Sequence, residues 1–163
     1  MLHDAEIGCT IFFYNPNIYP QTEYEKRKSE IIRFAAKLAV PFIDADYEPE
    51  VWRTRIQGLE NEPEQGKRCD KCFDLRLERT ALFAHEHGFT VFATTLAASR
   101  WKNILQVNAA GQRAADRYQG LTFWDKNWRE EGGSQLADQV IREENFYRQK
   151  YCGCQYSLPK TVL

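Results

Sequence analysis

The alternation of strand-like and helix-like segments is the feature that most constrains the fold of this chain. Runs rich in β-branched and aromatic residues, typical of strands, occur at residues 9–14, 41–47, 90–96 and 121–124. Helical patterns follow from about Thr22, after Pro49, and at 70–87, 101–118 and 134–144. Strands separated by helices of this length predict parallel crossover connections. We therefore predict an α/β fold: a parallel sheet flanked by helices, followed by an irregular C-terminal tail.

The loops after the predicted strands are the first place to look for a binding site. In a Rossmann-like parallel sheet the carboxyl ends of the strands share one edge, and ligands bind there. Polar segments follow three of the strands. Together with the helix around residue 76, they supply five candidate substrate-binding residues, namely Asn15, Asn17, Arg76, Thr95 and Lys102. The alternative is that these loops are ordinary connections, which are polar in any protein.

Length and composition narrow the class of protein. The chain has 163 residues, which predicts a single α/β domain over 1–163. No apolar run approaches the ~20 residues that span a bilayer. The N-terminus lacks a basic segment followed by an apolar one, so we expect a cytoplasmic protein and no membrane partner. The formal net charge of −1 neither favours nor excludes a polyanionic partner.

Cys69 and Cys72 form the first of two close cysteine pairs. Structural disulfides are rare in the cytoplasm, so metal binding or redox chemistry is the better interpretation of such a pair. The pair brackets the predicted start of a helix, beside Arg68 and Lys71, and this environment lowers the pKa of a thiol. The spacing fits half a zinc site, half an iron–sulfur site or a dithiol. The thioredoxin arrangement fits least, because a long polar loop precedes the pair.

Cys152 and Cys154, the second pair, flank Gly153. A bend at the glycine would let the two thiols close into a strained, easily reduced disulfide. Alternatively, both pairs together form a four-cysteine zinc site. The fifth cysteine, Cys9, lies in a predicted strand and is expected to be a small buried hydrophobe.

Basic residues near both pairs suit a phosphate-bearing substrate. Arg76 and Arg79 follow Cys72 at helical spacing and share its face. Further basic residues could extend a positive rim, namely Arg100, Lys102, Arg148 and Lys150. The alternative is a solvated helix face balanced by acidic residues such as Asp74 and Glu78.

Four sequence blocks then carry a resemblance to a known family. They are "FFYNPNI", "RCDKCFDLRLERTA", "TTLAAS" and "YRQKYCGCQYSL", in this order. Together they resemble epoxyqueuosine reductase of the QueH type over essentially the whole chain. The resemblance implies a tRNA-modifying reductase that removes the epoxide oxygen of epoxyqueuosine at the anticodon wobble position, the last step of queuosine biosynthesis. It also implies a [4Fe-4S] cluster, tRNA as partner and an external electron donor that the sequence does not identify.

The resemblance also implies roles for individual residues. Cys69 and Cys72 would be two ligands of the cluster, and Cys152 with Cys154 would be a redox-active pair. Because iron could polarise the epoxide oxygen, an additional iron is a further expectation. Asp46 and Asp74 are candidate proton donors.

One part of the family pattern is not found in this sequence. Members of the family typically begin with a strand that ends in a CCxPC-like motif, which supplies the remaining cluster ligands. Cys9 does not occupy such a motif, so we expect that first strand and those ligands to be absent. Either the N-terminus is truncated or the chain is a degenerate homologue, and in both cases the isolated chain should lack full activity. The rival hypotheses are a zinc-stabilised RNA-binding module and a general dithiol oxidoreductase.

Overall fold

A computed structural model describes residues 7–99 and 102–158. The α/β class is confirmed, and the strands pair in parallel, β1 with β2 and β3 with β4. The strands are β1 (Ile11–Phe13), β2 (Phe42–Asp44), β3 (Val91–Phe92) and β4 (Thr122–Phe123). The α-helices are α1 (Gln21–Lys37), α2 (Pro49–Arg55), α3 (Lys67–Glu86), α4 (Ile104–Ala115) and α5 (Gly133–Glu143). Short 3₁₀ helices occupy Thr95–Ala98 and Gln155–Ser157.

The described residues fall into two compact units. The first unit contains residues 7–49 and 147–158, and the second contains 50–99 and 102–146. None of the helices in these ranges combines the length and the apolar character needed to cross a membrane.

The first unit is built around aromatic side chains that link β1, α1 and β2. Phe13 and Tyr24 are 7% and 1% exposed, and their ring centroids are 5.5 Å apart. Tyr24 also stacks on Tyr47 at 4.1 Å. Tyr24 and Ala35 of α1 are buried, and Ile31 of the same helix packs against this core.

The second unit depends on small residues where α3 meets α4. Ala81 on α3 and Ala114 on α4 are both fully buried, and small side chains allow two helices to approach closely. Phe92 of β3 and Phe123 of β4 complete this core with ring centroids 5.2 Å apart. The cysteine-bearing start of α3 is therefore fixed to a packed helix pair.

Gly111 on α4 lies close to the ring of Phe123 on β4. This contact gives a first prediction. A Cβ built on Gly111 would lie 2.4 Å from two ring carbons of Phe123, whose side chain is 6% exposed. We expect Gly111→Ala to lower the free energy of unfolding by about 1–3 kcal/mol, since overpacking a core has that cost. Urea unfolding measures the change.

A matched control separates this clash from helix propensity. Ala109 is exposed on the same helix, and Ala109→Gly should cost about 1 kcal/mol through propensity alone. Helix propensity alone would make Gly111→Ala raise the free energy of unfolding by a similar amount. A stabilised Gly111→Ala protein would therefore contradict the tight contact.

Several element boundaries differ from the sequence prediction. Helix α3 begins at Lys67 rather than residue 70, because Glu62 Oε2 accepts the Lys67 N–H at 3.1 Å and extended Gly66 forms the N-cap. Residue 95 is not in a strand: Thr94 Oγ1 accepts the Leu96 N–H at 3.2 Å and starts a 3₁₀ turn. Cys69 and Cys72 therefore lie inside α3 and do not bracket its start.

Candidate functional site

The loops after β1 and β2 meet at one edge of the first unit, as expected for parallel strands. Tyr47 in the second loop donates its hydroxyl to the carbonyl of Ile18 in the first, at 2.6 Å. Tyr14 donates to Glu48 Oε2 at 3.0 Å. These bonds hold the loop that contains the predicted substrate-binding residues. Of these, Asn15 is half-buried.

Asn17 has an unusual environment for an asparagine. Its side chain is 2% exposed, and its Oδ1 atom has no hydrogen-bond partner in the described part of the chain. A buried acceptor without a partner costs about 1–3 kcal/mol, and few native proteins keep one without a reason. Asn17 therefore offers a buried acceptor to a ligand, although its substrate-binding role stays a prediction.

Residues 151–154, here called the cysteine tail, lie against this loop. The N–H of Tyr19 donates to the carbonyl of Gly153 at 2.8 Å, and the Tyr151 hydroxyl donates to the carbonyl of Tyr19. The backbone bends at Gly153, whose φ is 109°, a value that L side chains avoid. Cys154 is buried at 7% exposure and Cys152 is half-buried. The structure thus brings the second cysteine pair to the carboxyl edge of β1 and β2.

Arg27 on α1 holds the cysteine tail and was not found by sequence reasoning. Its Nη1 donates to the carbonyl of Cys152 and its Nη2 to that of Tyr151, both at 3.1 Å. Its Nε donates to Glu23 Oε1 at 2.8 Å. The only local signal is the i,i+4 spacing of Glu23 and Arg27, which occurs on many helix surfaces.

Two tyrosines of this network keep their protons at neutral pH. Burial, reinforced by the nearby carboxylate of Glu23, raises the pKa of Tyr151 to about 12. Burial and a 3.1 Å hydrogen bond to Glu23 also raise the pKa of Tyr147. Both hydroxyls therefore remain hydrogen-bond donors at neutral pH.

Cys69 and Cys72 occupy the first two turns of α3 in the second unit. Side chains three apart on a helix share a face, so the two sulfurs can bind one centre. Cys72 is 8% exposed, and half-buried Cys69 packs against the core of this unit.

The loop before α3 forms a fixed support for Cys69. The N–H of Gln65 donates to Cys69 Sγ at 3.3 Å. Gln65 has a φ of 64°, which is uncommon for a residue with a side chain and often marks a functional site. Gln106 on α4 donates its Nε2 to the carbonyl of Gln65 and to Asp70 Oδ1, both at 2.7 Å. The position of Cys69 is thus set by α4 as well as by its own helix.

Arg68 has a different role from the one that its sequence position indicates. It is 3% exposed, and its Nη1 donates to the carbonyl of Glu60 at 2.8 Å and to that of Glu62. These bonds direct the guanidinium to the preceding loop. Arg68 therefore acts by holding the loop that supports Cys69, while Lys71 is exposed.

The remaining predicted residues of the second unit are spread over several elements. Arg76 is half-buried on α3, and Thr95 is exposed in its 3₁₀ turn. The Nζ of Lys102 lies 5.7 Å from the centroid of the Phe73 ring. Asp74 accepts from Arg113 Nη2 at 2.6 Å, so this candidate proton donor is in an ion pair with α4.

The residues predicted to form a basic rim occur in both units. Arg79 is half-buried in the second unit, whereas Arg148 and Lys150 are exposed in the first. Glu78 forms ion pairs with Arg55 and Arg117, so its charge on α3 is balanced by neighbouring arginines. Arg100 lies outside the described residues.

Cys9 and Asp46 complete the list of candidates. Cys9 precedes β1 and is half-buried beside Val40 and Pro41, so the prediction of a fully buried strand cysteine is wrong. Strand β1 begins two residues later, at Ile11, whose N–H donates to the carbonyl of Pro41, just before β2, at 2.8 Å. Asp46 is exposed after β2.

The described residues contain only some of the ligands that a metal ion or an iron–sulfur cluster needs. Within 7–99 and 102–158 no group of three or more His, Cys, Asp or Glu side chains is arranged to hold a metal ion. A [4Fe-4S] cluster is normally held by four thiolates. Cys69 and Cys72 fit two of these positions by chemistry and by their shared helix face, and the described residues do not supply the rest.

Comparison with known proteins decides the family. The family model described as "Epoxyqueuosine reductase QueH" matches residues 1–160. The chain belongs to the epoxyqueuosine reductase QueH family. Curated proteins named Epoxyqueuosine reductase QueH share 52% identity over 160 residues in Histophilus somni, 55% over 152 in Haemophilus influenzae and 54% over 155 in Acinetobacter baylyi.

These matches cover nearly all of this chain but only part of each relative. They cover 98%, 93% and 95% of this chain. In return, the chain spans 66%, 62% and 71% of the lengths of the same QueH relatives. Both cysteine pairs of this QueH chain lie within the matched residues.

Proposed function

We propose that this QueH-family chain reduces epoxyqueuosine to queuosine at the anticodon wobble position of tRNA, the last step of queuosine biosynthesis. The observation that carries the proposal is the cysteine tail held at the carboxyl edge of β1 and β2, beside the buried acceptor of Asn17. The names of the QueH relatives support the activity and the substrate. tRNA is the partner, and the cytoplasm, where tRNA is modified, is the proposed location.

The two thiols of the tail match the electron count of this reaction. Converting an epoxide to an alkene takes two electrons and two protons, breaks both C–O bonds and releases water. Oxidation of Cys152 and Cys154 to a disulfide forms one S–S bond and yields two electrons and two protons. Dithiol plus epoxide therefore balances disulfide plus alkene plus water, and an external electron donor restores the dithiol for the next turnover.

Cys69 and Cys72 are proposed as two ligands of an iron–sulfur cluster. Their shared face on α3 and the Gln65 N–H at Cys69 Sγ support this assignment. A bound cluster would supply one-electron transfer, which side chains alone do poorly. An additional iron beside it, as a Lewis acid for the epoxide oxygen, is part of the same proposal.

Substrate contacts are proposed for residues of both units. In the first unit Asn15 and Asn17 lie on the loop after β1, next to the cysteine tail. In the second, Arg76, Thr95 and Lys102 supply charge and hydroxyl groups for the tRNA backbone. Phosphate contacts of this kind set orientation, and the buried asparagine suits recognition of a polar group on the modified base.

The direct test is conversion of the modified nucleoside. The chain is reconstituted anaerobically with iron and sulfide and incubated with tRNA that carries epoxyqueuosine and a low-potential reductant. We expect mass spectrometry of the digested tRNA to detect a nucleoside that has lost one oxygen atom, at less than full conversion, because the described residues supply only two of the cluster thiolates. The same chain without iron is the control.

Two results would contradict the proposal. An iron-loaded chain that leaves epoxyqueuosine unchanged would exclude the reductase activity of this chain. A colourless chain that holds about one zinc and binds tRNA without converting it would instead favour a zinc-stabilised RNA-binding module.

A further inference from the structure

Arg27 is a buried cation whose bonds go mainly to main-chain carbonyls. Its side chain is 6% exposed, and two of its three bonds are to the carbonyls of Tyr151 and Cys152. The third is to Glu23, whose other oxygen accepts from Tyr147. Burying a guanidinium is costly unless it is hydrogen-bonded and paired. Three charge-assisted bonds, two of them to the cysteine tail, offset this cost for Arg27.

The geometry of these bonds requires a guanidinium. Nη1 and Nη2 each reach a different carbonyl, and Nε points back along α1. Arginine presents these donors as a rigid planar fork, whereas lysine has one compact ammonium group. The fork therefore fixes the separation of two successive carbonyls immediately before Gly153. The Tyr151 ring also lies over the guanidinium at 5.1 Å.

Gly153 shows how closely the tail fits against Arg27. A Cβ on Gly153 would lie 2.9 Å from Arg27 Nη1 and 3.1 Å from Ile18 Cγ1. The φ of 109° is itself unfavourable for any other residue. The main chain between the two cysteines is therefore fixed on one side by Arg27 and on the other by the Tyr19 N–H.

We propose that Arg27 is a positioning residue that holds Cys152 and Cys154 in the geometry used for reduction of the substrate. This inference rests on the proposed redox role of the pair. The bonds of Arg27 to the tail reach main-chain carbonyls, and its side chain is shielded from solvent. It acts by fixing the backbone that carries both thiols, and its shape matters more than its charge.

Alkylation of Cys154 tests the conformational part independently of activity. Cys154 is 7% exposed, so N-ethylmaleimide reaches it only when the tail opens. We expect Arg27→Gln to raise its alkylation rate about tenfold or more, since two charge-assisted bonds are lost. Arg27→Lys should give a similar rise. Peptide mass spectrometry on the reduced chain, with iron and after chelation, gives the rate at each cysteine.

Three comparisons make this result specific. Cys72 is also buried, at 8% exposure, and its rate after chelation should stay unchanged because it reports opening of the second unit. Arg33→Gln and Arg33→Lys on the exposed part of the same helix should have no effect. Gly153→Ala, which keeps Arg27 but displaces the tail, should reproduce the rise. An unchanged rate at Cys154, or an equal rise at Cys72, would overturn the local role.

Single-turnover kinetics test positioning. We expect Arg27→Gln and Arg27→Lys to lower the rate constant for epoxyqueuosine reduction by about tenfold or more, since small displacements of reacting groups have effects of this size. The Kd for tRNA should not change, because Arg27 is buried. A weaker tRNA affinity with an unchanged rate constant would contradict positioning. If even the unsubstituted chain fails to convert the nucleoside, the proposed function is wrong. The alkylation rates still decide whether Arg27 holds the cysteine tail in place.

Discussion

Cys154→Ser is expected to abolish the proposed epoxyqueuosine reduction while leaving the proposed tRNA binding intact. Cys154 is buried in the tail, and its carbonyl already accepts from Ser157 Oγ at 2.8 Å and from the Ser157 N–H at 2.9 Å. A serine hydroxyl is close to a thiol in size, so the fold of the tail should survive. Without the second sulfur, no intramolecular disulfide can form, and the pair cannot release two electrons.

The measurement is a single turnover with pre-reduced protein and no other reductant. We expect the single-turnover conversion of epoxyqueuosine to fall to background for Cys154→Ser and for Cys152→Ser. Cys9→Ser is the matched control, because Cys9 precedes β1 and belongs to neither pair. Normal single-turnover conversion by Cys154→Ser would show that the tail thiols are not the electron source.

Cys72→Ala should have the second large effect, the loss of bound iron. Cys72 and Cys69 are the only cysteines on α3, and a cluster that loses one of its thiolates loses much of its binding free energy. The fold should persist, because removal of one sulfur atom from a packed site costs about 1 kcal/mol. Iron and sulfide assays with a visible spectrum, after anaerobic reconstitution, report the result.

Two variants separate ligand loss from general damage. Cys69→Ala should also lose iron and, in addition, leave the Gln65 N–H without its sulfur acceptor. Cys9→Ala should keep the iron content of the unsubstituted chain. Iron content that is unchanged in Cys72→Ala would exclude this residue as a ligand.

The fold class followed from local pattern, and so did the family. Alternating strand and helix segments predicted parallel strands, and each described strand pair is parallel. A glycine also follows the end of α3, since Gly88, with a φ of 73°, lies one residue beyond the C-cap His87. The block around Cys69 and the block around Cys154 identified the family, because the order and spacing of side chains survive in the sequence itself.

The sequence predicted the candidate site only in part. The spacing of Cys69 and Cys72 predicted half of a metal site or a dithiol, but α3 begins earlier than its composition indicated because the Glu62 carboxylate accepts the Lys67 N–H. Asp74 was a candidate proton donor on sequence grounds, yet it pairs with Arg113, which lies 39 residues away. Partners so far apart leave no periodic trace in one sequence.

The sequence by itself determined that this protein is an α/β chain of the QueH family with two close cysteine pairs. Only the tertiary structure decided how the second pair is held, because Arg27 reaches carbonyls 124 and 125 residues further along the chain. It also decided that Asn17 is buried and that its Oδ1 has no hydrogen-bond partner among residues 7–99 and 102–158. Such contacts depend on which distant segments pack together, and a local pattern of residue types carries no information about that packing.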